Sequence, residues 1–335
     1  MQTPRIIELP KFLDDRGNLS FLENDKQIPF EIKRVHWIYD VPGGESRGGV
    51  AYKTTEEFIV AMSGSFDVVV RDGEREWKFF LNRSYKGVYI PAGLWRSIEN
   101  YSSNSVAVIA ASTFYDPADA VRELKENDIE NSEENIKENI SKPKMNNPQS
   151  SNDDFQLIVP QSACMQASRQ SDDQSVSANA LPDYSEKNDS ILESTKNIKK
   201  FNIEDCRIIE LDRHHSQRKG DISVVENGKE VPFDVKRIYY LYDVPGGADR
   251  GGHAHKELYQ LVIAASGAFT VELDDGTNMK AFTLNRPYQG LLVKPGIWRT
   301  LTDFSSGSIC MVLASEKYDE SDYIRDYENF INYRQ

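Results

Sequence analysis

The chain repeats itself, and this limits its fold more than any other feature. The run Lys33-Arg34-Val35-His36-Trp37-Ile38-Tyr39-Asp40-Val41-Pro42-Gly43-Gly44 returns 203 positions later as Lys236-Arg237-Ile238-Tyr239-Tyr240-Leu241-Tyr242-Asp243-Val244-Pro245-Gly246-Gly247. The same offset joins Ser63-Gly64 to Ser266-Gly267, Leu81-Asn82-Arg83 to Leu284-Asn285-Arg286 and Trp95-Arg96 to Trp298-Arg299. At the front, Arg5-Ile6-Ile7-Glu8-Leu9 matches Arg207-Ile208-Ile209-Glu210-Leu211 at an offset of 202, so the second copy holds one inserted residue, most simply Lys219. Such a repeat is two copies of one domain.

Within each copy, short alternating runs are separated by turn signals. Phe66-Asp67-Val68-Val69-Val70 precedes Asp72-Gly73, and Phe269-Thr270-Val271-Glu272-Leu273 precedes Asp275-Gly276. This predicts an all-β architecture of two small barrel or jelly-roll domains, over 1–117 and 199–335. Only the tails read as helical, Pro117 to about Lys137 and Ser321 to Tyr333. Residues 118–198 read as a flexible, mostly disordered linker rich in Asn, Ser, Gln and Asp, with a candidate short helix and one apolar island, Phe155-Gln156-Leu157-Ile158-Val159. About 80 such residues reach roughly 50 Å, enough for the two copies to meet.

The net charge of −13 argues against nucleic acid as a partner, so an anionic ligand must be held by local arginines and lysines. Cys164, Cys206 and Cys310 form neither a disulfide framework nor a zinc pattern. The opening residues carry no apolar signal core, and no run is apolar enough to span a membrane. A reducing, cytoplasmic setting without membrane contact is expected.

The chemistry points to Arg250-Gly251-Gly252-His253-Ala254-His255-Lys256. On a strand, residues i and i+2 share a face, so His253 and His255 project into one space. A small barrel bearing His-x-His suggests a cupin. A cupin metal site also needs a Glu shortly after the second His and a third His later. Here Tyr259 or Gln260 stands in the first position and Arg299 in the second, with Arg96 its counterpart in copy 1. Arginine cannot ligate, so neither metal nor cofactor is expected. Two histidines with Tyr239 and Arg299 suit proton abstraction next to a carbonyl.

These residues also carry a resemblance. The Arg250–Lys256 motif, Leu284-Asn285-Arg286-Pro287, Ile297-Trp298-Arg299, Asp303-Phe304-Ser305-Ser306 and the ending Ala314–Tyr327 are similar to the bacterial sugar 3,4-ketoisomerases, WxcM-like cupins acting on dTDP-4-keto-6-deoxyglucose. The likeness spans nearly all of copy 2 and, more loosely, copy 1. It implies an isomerase that moves a ketone from C4 to C3 through an enediol, in O-antigen or S-layer sugar assembly. It implies His253 as carbon base, Tyr239 and His255 as handlers of protons on O3 and O4, and Arg250, Arg299, Trp298, Lys256 and Arg218 as substrate-binding residues. Arg16-Gly17 of copy 1 becomes Arg218-Lys219-Gly220 in copy 2, which sets Arg218 apart from the family pattern.

Copy 1 holds Val50, Tyr52 and His36 where copy 2 has His253, His255 and Tyr239. Valine is no base, so copy 1 reads as a degenerate partner, or as one whose His36/Tyr52 exchange supports another reaction. Its Arg16, Arg47, Arg83 and Arg96 would still allow it to bind a nucleotide sugar. The resemblance also implies that the two copies pair within one chain as a pseudo-dimer. Competing readings are a non-catalytic nucleotide-sugar-binding module, a metal cupin of dioxygenase or phosphomannose-isomerase type, and a dTDP-sugar 3,5-epimerase.

Overall fold

The computed structural model describes residues 2–122 and 200–335. The linker, its apolar island and Cys164 lie outside the described residues. Copy 1 forms β1 (Arg5–Glu8), β2 (Lys11–Phe12), β3 (Asn18–Glu23), β4 (Arg34–Tyr39), β5 (Arg47–Tyr52), β6 (Glu57–Ser63), β7 (Phe66–Arg71), β8 (Glu76–Leu81), β9 (Lys86–Ile90), β10 (Trp95–Glu99), β11 (Val106–Ala111) and β12 (Ala120–Val121). Copy 2 repeats the series as β13 (Arg207–Glu210), β14 (Asp212–Ser216), β15 (Gly220–Glu226), β16 (Arg237–Tyr242), β17 (Arg250–His255), β18 (Gln260–Ser266), β19 (Phe269–Asp274), β20 (Met279–Leu284), β21 (Gln289–Val293), β22 (Trp298–Thr302), β23 (Ile309–Ala314) and β24 (Tyr323–Ile324).

Each copy contributes a five-stranded sheet of its own, β12-β5-β10-β7-β8 and β20-β19-β22-β17-β24. The other two sheets have seven strands each and draw on both copies. Their orders are β1-β9-β6-β11-β4-β15-β14 and β13-β21-β18-β23-β16-β3-β2. The hairpin β2–β3 of copy 1 thus completes a sheet of copy 2, and β14–β15 of copy 2 completes a sheet of copy 1. We call these hairpins the arms. In register, Phe21 stands opposite Tyr239 and Val224 opposite His36. The extra residue of copy 2 sits in the arm's turn: Gly17 N–H closes on Asp14 O, whereas Lys219 N–H closes on Ser216 O. From Gly17 and Gly220 onward the two arms run 203 apart.

The exchange explains a run that does not alternate. All six residues of β16 are buried, as expected of a strand covered on both faces. Tyr239 and Leu241 face the interior of copy 2. Ile238, Tyr240 and Tyr242 face a core shared with Leu22, Val35, Trp37 and Val225. Polar contacts across the copies come in reciprocal pairs. Trp37 Nε1 donates to Pro287 O and the Tyr240 hydroxyl to Ser84 O. Ser20 bonds Tyr242, and Ser223 bonds Tyr39, each at 3.1 Å.

Of the copy 1 tail expected to be helical, residues 123–137 lie outside the described residues, and what is described of both tails differs from expectation. Over residues 117–122 the chain makes a turn and then β12, which pairs with β5. In copy 2 a short 3-10 turn (Glu320–Asp322) and β24 precede a helix only eight residues long, Tyr327–Arg334, capped by the Asp326 side chain. Edge pairing of β24 onto β17 outweighs helix propensity, because Ile324 is buried by the pairing. Among the described residues, no helix is long and apolar enough to cross a membrane.

Candidate active site

Strand β17 carries a bulge between Gly251 and His253. Gly251 and Gly252 have φ of 88° and 66°, which L-residues with side chains rarely adopt. A side chain at Gly251 would also strike Arg299 O, 2.9 Å from an added Cβ. The bulge re-aims the strand so that both histidines face the barrel interior. Their rings meet edge to face with centroids 4.9 Å apart.

A closed hydrogen-bond network surrounds them. Arg299, on the neighbouring β22, donates through Nε to Gln260 Oε1 at 2.7 Å, and through Nη2 to the Tyr239 oxygen at 2.8 Å and His253 Nε2 at 3.2 Å. A guanidinium only donates, so Nε2 of His253 is unprotonated. The other ring nitrogen keeps its hydrogen and donates it to the Gly251 backbone. Asp322, on the 3-10 turn, lies 2.8 Å from His255 Nδ1. Gln260 Nε2 approaches Tyr239 Oη at 2.9 Å and His255 Nε2 at 3.4 Å. Burial, Arg299 and the second histidine hold His253 far below the usual imidazole range. Burial brings His255 down to about 4 despite its bond to Asp322. Both rings are therefore neutral near pH 7. Burial pushes the Tyr239 phenol up to about 12, so it keeps its proton.

The network opens on a cavity of about 480 Å³. Its lining includes Arg237, Tyr239, Arg250, His253, Arg299 and Arg325 from copy 2, and Phe12, Arg16, Leu19 and Phe21 from the arm of copy 1. Among the described residues, five arginines and no carboxylate line the cavity, in a chain whose net charge is −13. Phe12 and Phe21 stack with centroids 6.0 Å apart, and Phe12 is 59% exposed, forming an apolar shelf at one side.

Of the residues expected at the site, His253, Tyr239, Arg250 and Arg299 line this cavity. His255 does not; it sits behind, between Asp322 and Gln260. Lys256 turns out to Ser321 O at 2.7 Å. Trp298, one residue from Arg299 and so on the other strand face, packs against Tyr327 and Phe330 at centroid distances of 5.2 and 5.4 Å. Arg218 stands exposed in the turn of the copy 2 arm, alongside copy 1. The arm exchange moves it away, and Arg16 occupies the corresponding place in the cavity. Sequence reasoning missed Gln260 as a contributor, along with Asp322, Tyr323, Arg237 and Arg325. Tyr323 packs its ring on both histidines, at 5.0 and 4.2 Å. The repeat carried the signal. Gln260 and Tyr323 are Glu57 and Ala120 in the copy that lost its histidines.

In copy 1 the bulge glycines persist, with φ of 101° at Gly48 and 69° at Gly49. The network does not. Glu57 grips Arg96 through two bonds of 2.7 and 2.8 Å, both side chains buried. Nδ1 of His36 is buried without a partner, and burial among Arg34, Arg96 and Arg47 holds its pKa far below normal. Arg83 is exposed and bonds only its neighbour's carbonyl, and Arg16 serves the other copy. Of the four arginines expected to bind a ligand in copy 1, these two do not face its interior, and Arg96 is engaged.

A family model described as "FdtA: WxcM-like, C-terminal" matches residues 2–130 and 204–335. The chain belongs to this family. Among its relatives, a TDP-4-oxo-6-deoxy-alpha-D-glucose-3,4-oxoisomerase of Aneurinibacillus thermoaerophilus is 46% identical over 115 residues, 34% of this chain and 83% of that protein. A solved 3,4-ketoisomerase of Helicobacter canadensis is 44% identical and covers 39% of this chain and 97% of its own, with a TM-score of 0.38. A TDP-quinovose 3,4-ketoisomerase of Campylobacter jejuni is 42% identical, covering 39% and 99%, also at 0.38. Each of these three proteins matches about one copy's length, and the family model matches this chain over two regions.

Proposed function

We propose that this WxcM-like chain is a sugar 3,4-ketoisomerase converting dTDP-4-keto-6-deoxyglucose to the 3-keto isomer, with the chemistry in copy 2. The observation that carries the reading is the convergence of His253 Nε2, the Tyr239 hydroxyl and Arg299 on one arginine-lined cavity. The unprotonated Nε2 of His253 removes the C3 hydrogen. Tyr239 gives its proton to O4 as the C3–C4 double bond forms. The resulting enediol returns the O3 proton to Tyr239, and C4 takes a proton from His253. Atoms balance, and no redox partner is needed. Arg299 stabilises the charge that develops on oxygen. Arg16, Arg237, Arg250 and Arg325 hold the diphosphate, and the Phe12–Phe21 shelf takes the flat base. His255, out of reach of the sugar, holds its neighbours in place.

We further infer that the two modules, 1–117 and 199–335, pair within one chain, so that each chain has one competent site. The reciprocal arms and the shared core support this. Trp37, Tyr240, Leu22 and Val225 are buried there, and full burial of each large apolar side chain stabilises by about 1.5–3 kcal/mol. We place the enzyme in the cytoplasm, where its buried thiols Cys206 and Cys310 stay reduced. Two measurements test these readings. Proton NMR of dTDP-4-keto-6-deoxyglucose with the full chain should show a 3-keto product, lost in His253→Asn; an active variant would move the chemistry elsewhere. Light scattering at micromolar protein should give a mass near 38.2 kDa, and twice that mass would favour pairing between chains.

A further inference from the structure

Gln260 bonds to Arg299, Tyr239 and His255, yet it does not line the cavity. Its orientation is fixed by chemistry. Arg299 Nε can only donate, so the Gln260 atom 2.7 Å away is the carbonyl oxygen. The amide nitrogen must then face the other way, towards Tyr239 Oη at 2.9 Å and His255 Nε2 at 3.4 Å. An amide nitrogen has two hydrogens and no lone pair to give. Each therefore goes to an acceptor, one to the phenol oxygen and one to the imidazole.

This has two consequences for protons. The Tyr239 oxygen accepts from Gln260 and from Arg299, which occupies both of its lone pairs. Among the described residues its own hydrogen has no acceptor, which leaves it the cavity side. His255 Nε2 accepts from Gln260, so its proton resides on Nδ1, towards Asp322. We propose that Gln260 is the positioning residue that sets the proton inventory of the site, aiming the Tyr239 hydroxyl at the substrate oxygens and tying it to the Asp322–His255 pair. The proposal deepens the ketoisomerase reading and rests on it for the meaning of any rate change.

Copy 1 shows the alternative. Glu57 stands at the equivalent position, accepts from both Nε and Nη2 of Arg96, and has no hydrogen to give. A carboxylate in this place draws the guanidinium onto itself and would turn the phenol proton away from the cavity. Beside His255 it would also put a second negative group against a ring that already faces Asp322, favouring the imidazolium.

The test uses the full chain, wild type and Gln260→Glu, with Gln260→Met as a second variant that removes donor and acceptor without adding charge. The wild-type histidines are read first by long-range proton–nitrogen NMR at pH 7. Neutral His255 protonated at Nδ1 is expected; a proton on Nε2 overturns the proposal whether or not the chain turns over any sugar. In Gln260→Glu, His255 should become doubly protonated. Both variants should lose about a hundredfold in kcat, as expected for misdirected acid–base catalysis, while binding TDP within about twofold of wild type. Wild-type kcat in both variants, or a loss confined to TDP affinity, overturns it. A wild type that leaves dTDP-4-keto-6-deoxyglucose unchanged refutes the ketoisomerase reading and leaves the nitrogen spectra to decide the role of Gln260.

Discussion

The two copies share a backbone and differ in a handful of side chains at its centre. Both have the bulged strand, the paired positive-φ glycines, the buried arginine and the exchanged arm. In copy 2 the arginine meets a glutamine and distributes its hydrogens among Gln260, Tyr239 and His253. In copy 1 it meets Glu57 and spends them on one carboxylate. A fold retained without the two histidines teaches that the scaffold matters apart from them, and the arms show one way in which it does. The copy 1 arm brings Phe12, Leu19 and Phe21 to the working cavity. The corresponding positions of the copy 2 arm are His214, Ile222 and Val224, which offer no aromatic shelf. On the proposed reading copy 2 supplies the reacting groups, and copy 1 supplies part of the cavity wall.

The largest effect that sharpens this contrast comes from grafting one arm's residues onto the other. Phe12→His with Phe21→Val, in the full chain, should raise KM about ten- to a hundredfold, from the loss of stacking and apolar burial. The kcat should stay within about threefold, because neither ring offers a hydrogen bond to the network. Steady-state kinetics on the 4-keto sugar would check this, and an unchanged KM would show the arm to be mere support.

A smaller effect concerns pH. His253 and His255 titrate well below the imidazole of an unfolded chain, near 6.5. As pH falls below that value the unfolded state takes up protons that the native state does not, so stability declines between about pH 6.5 and 4; below about 4 the His255 contribution levels off while that of His253 goes on falling. Urea midpoints across this range should fall, and less steeply in His253→Asn. For the same reason kcat/KM should be flat from about pH 6 to 8. A limb near pH 6.5 would mean that the base is more exposed and more ordinary than the geometry indicates.

Much of this was legible in the residues. The repeat announces two modules, turn spacing announces β-structure, and His253-Ala254-His255 announces one shared face. The arm exchange was not legible, because Phe12 and Phe21 read equally well as strand residues of their own copy. Only the burial of both faces of Arg237–Tyr242 hints that a strand from elsewhere must cover it. That exchange is why Arg218 is replaced by Arg16 at the cavity. Trp298 was assigned to the ligand through the resemblance, but strand alternation puts it on the face opposite Arg299. Gln260 was read as a missing metal ligand, and its donor role emerges only from the positions of three partners contributed by β16, β17 and β22. The tail was expected to be helical, and the edge pairing of Tyr323–Ile324 required knowledge of which strand lay open.

The central claim is that one site per chain is assembled from the barrel of copy 2 and the arm of copy 1 of the same molecule. Co-expressing two full-length variants tests it most directly, one carrying His253→Asn and the other carrying Phe12→His with Phe21→Val. Each chain then holds one sound half of the site. With pairing inside each chain, the mixture at low substrate should show only the residual activity of the arm variant at its own concentration. Activity restored well above that sum would mean that a sound arm from one chain completes a sound barrel in another, and would contradict the account.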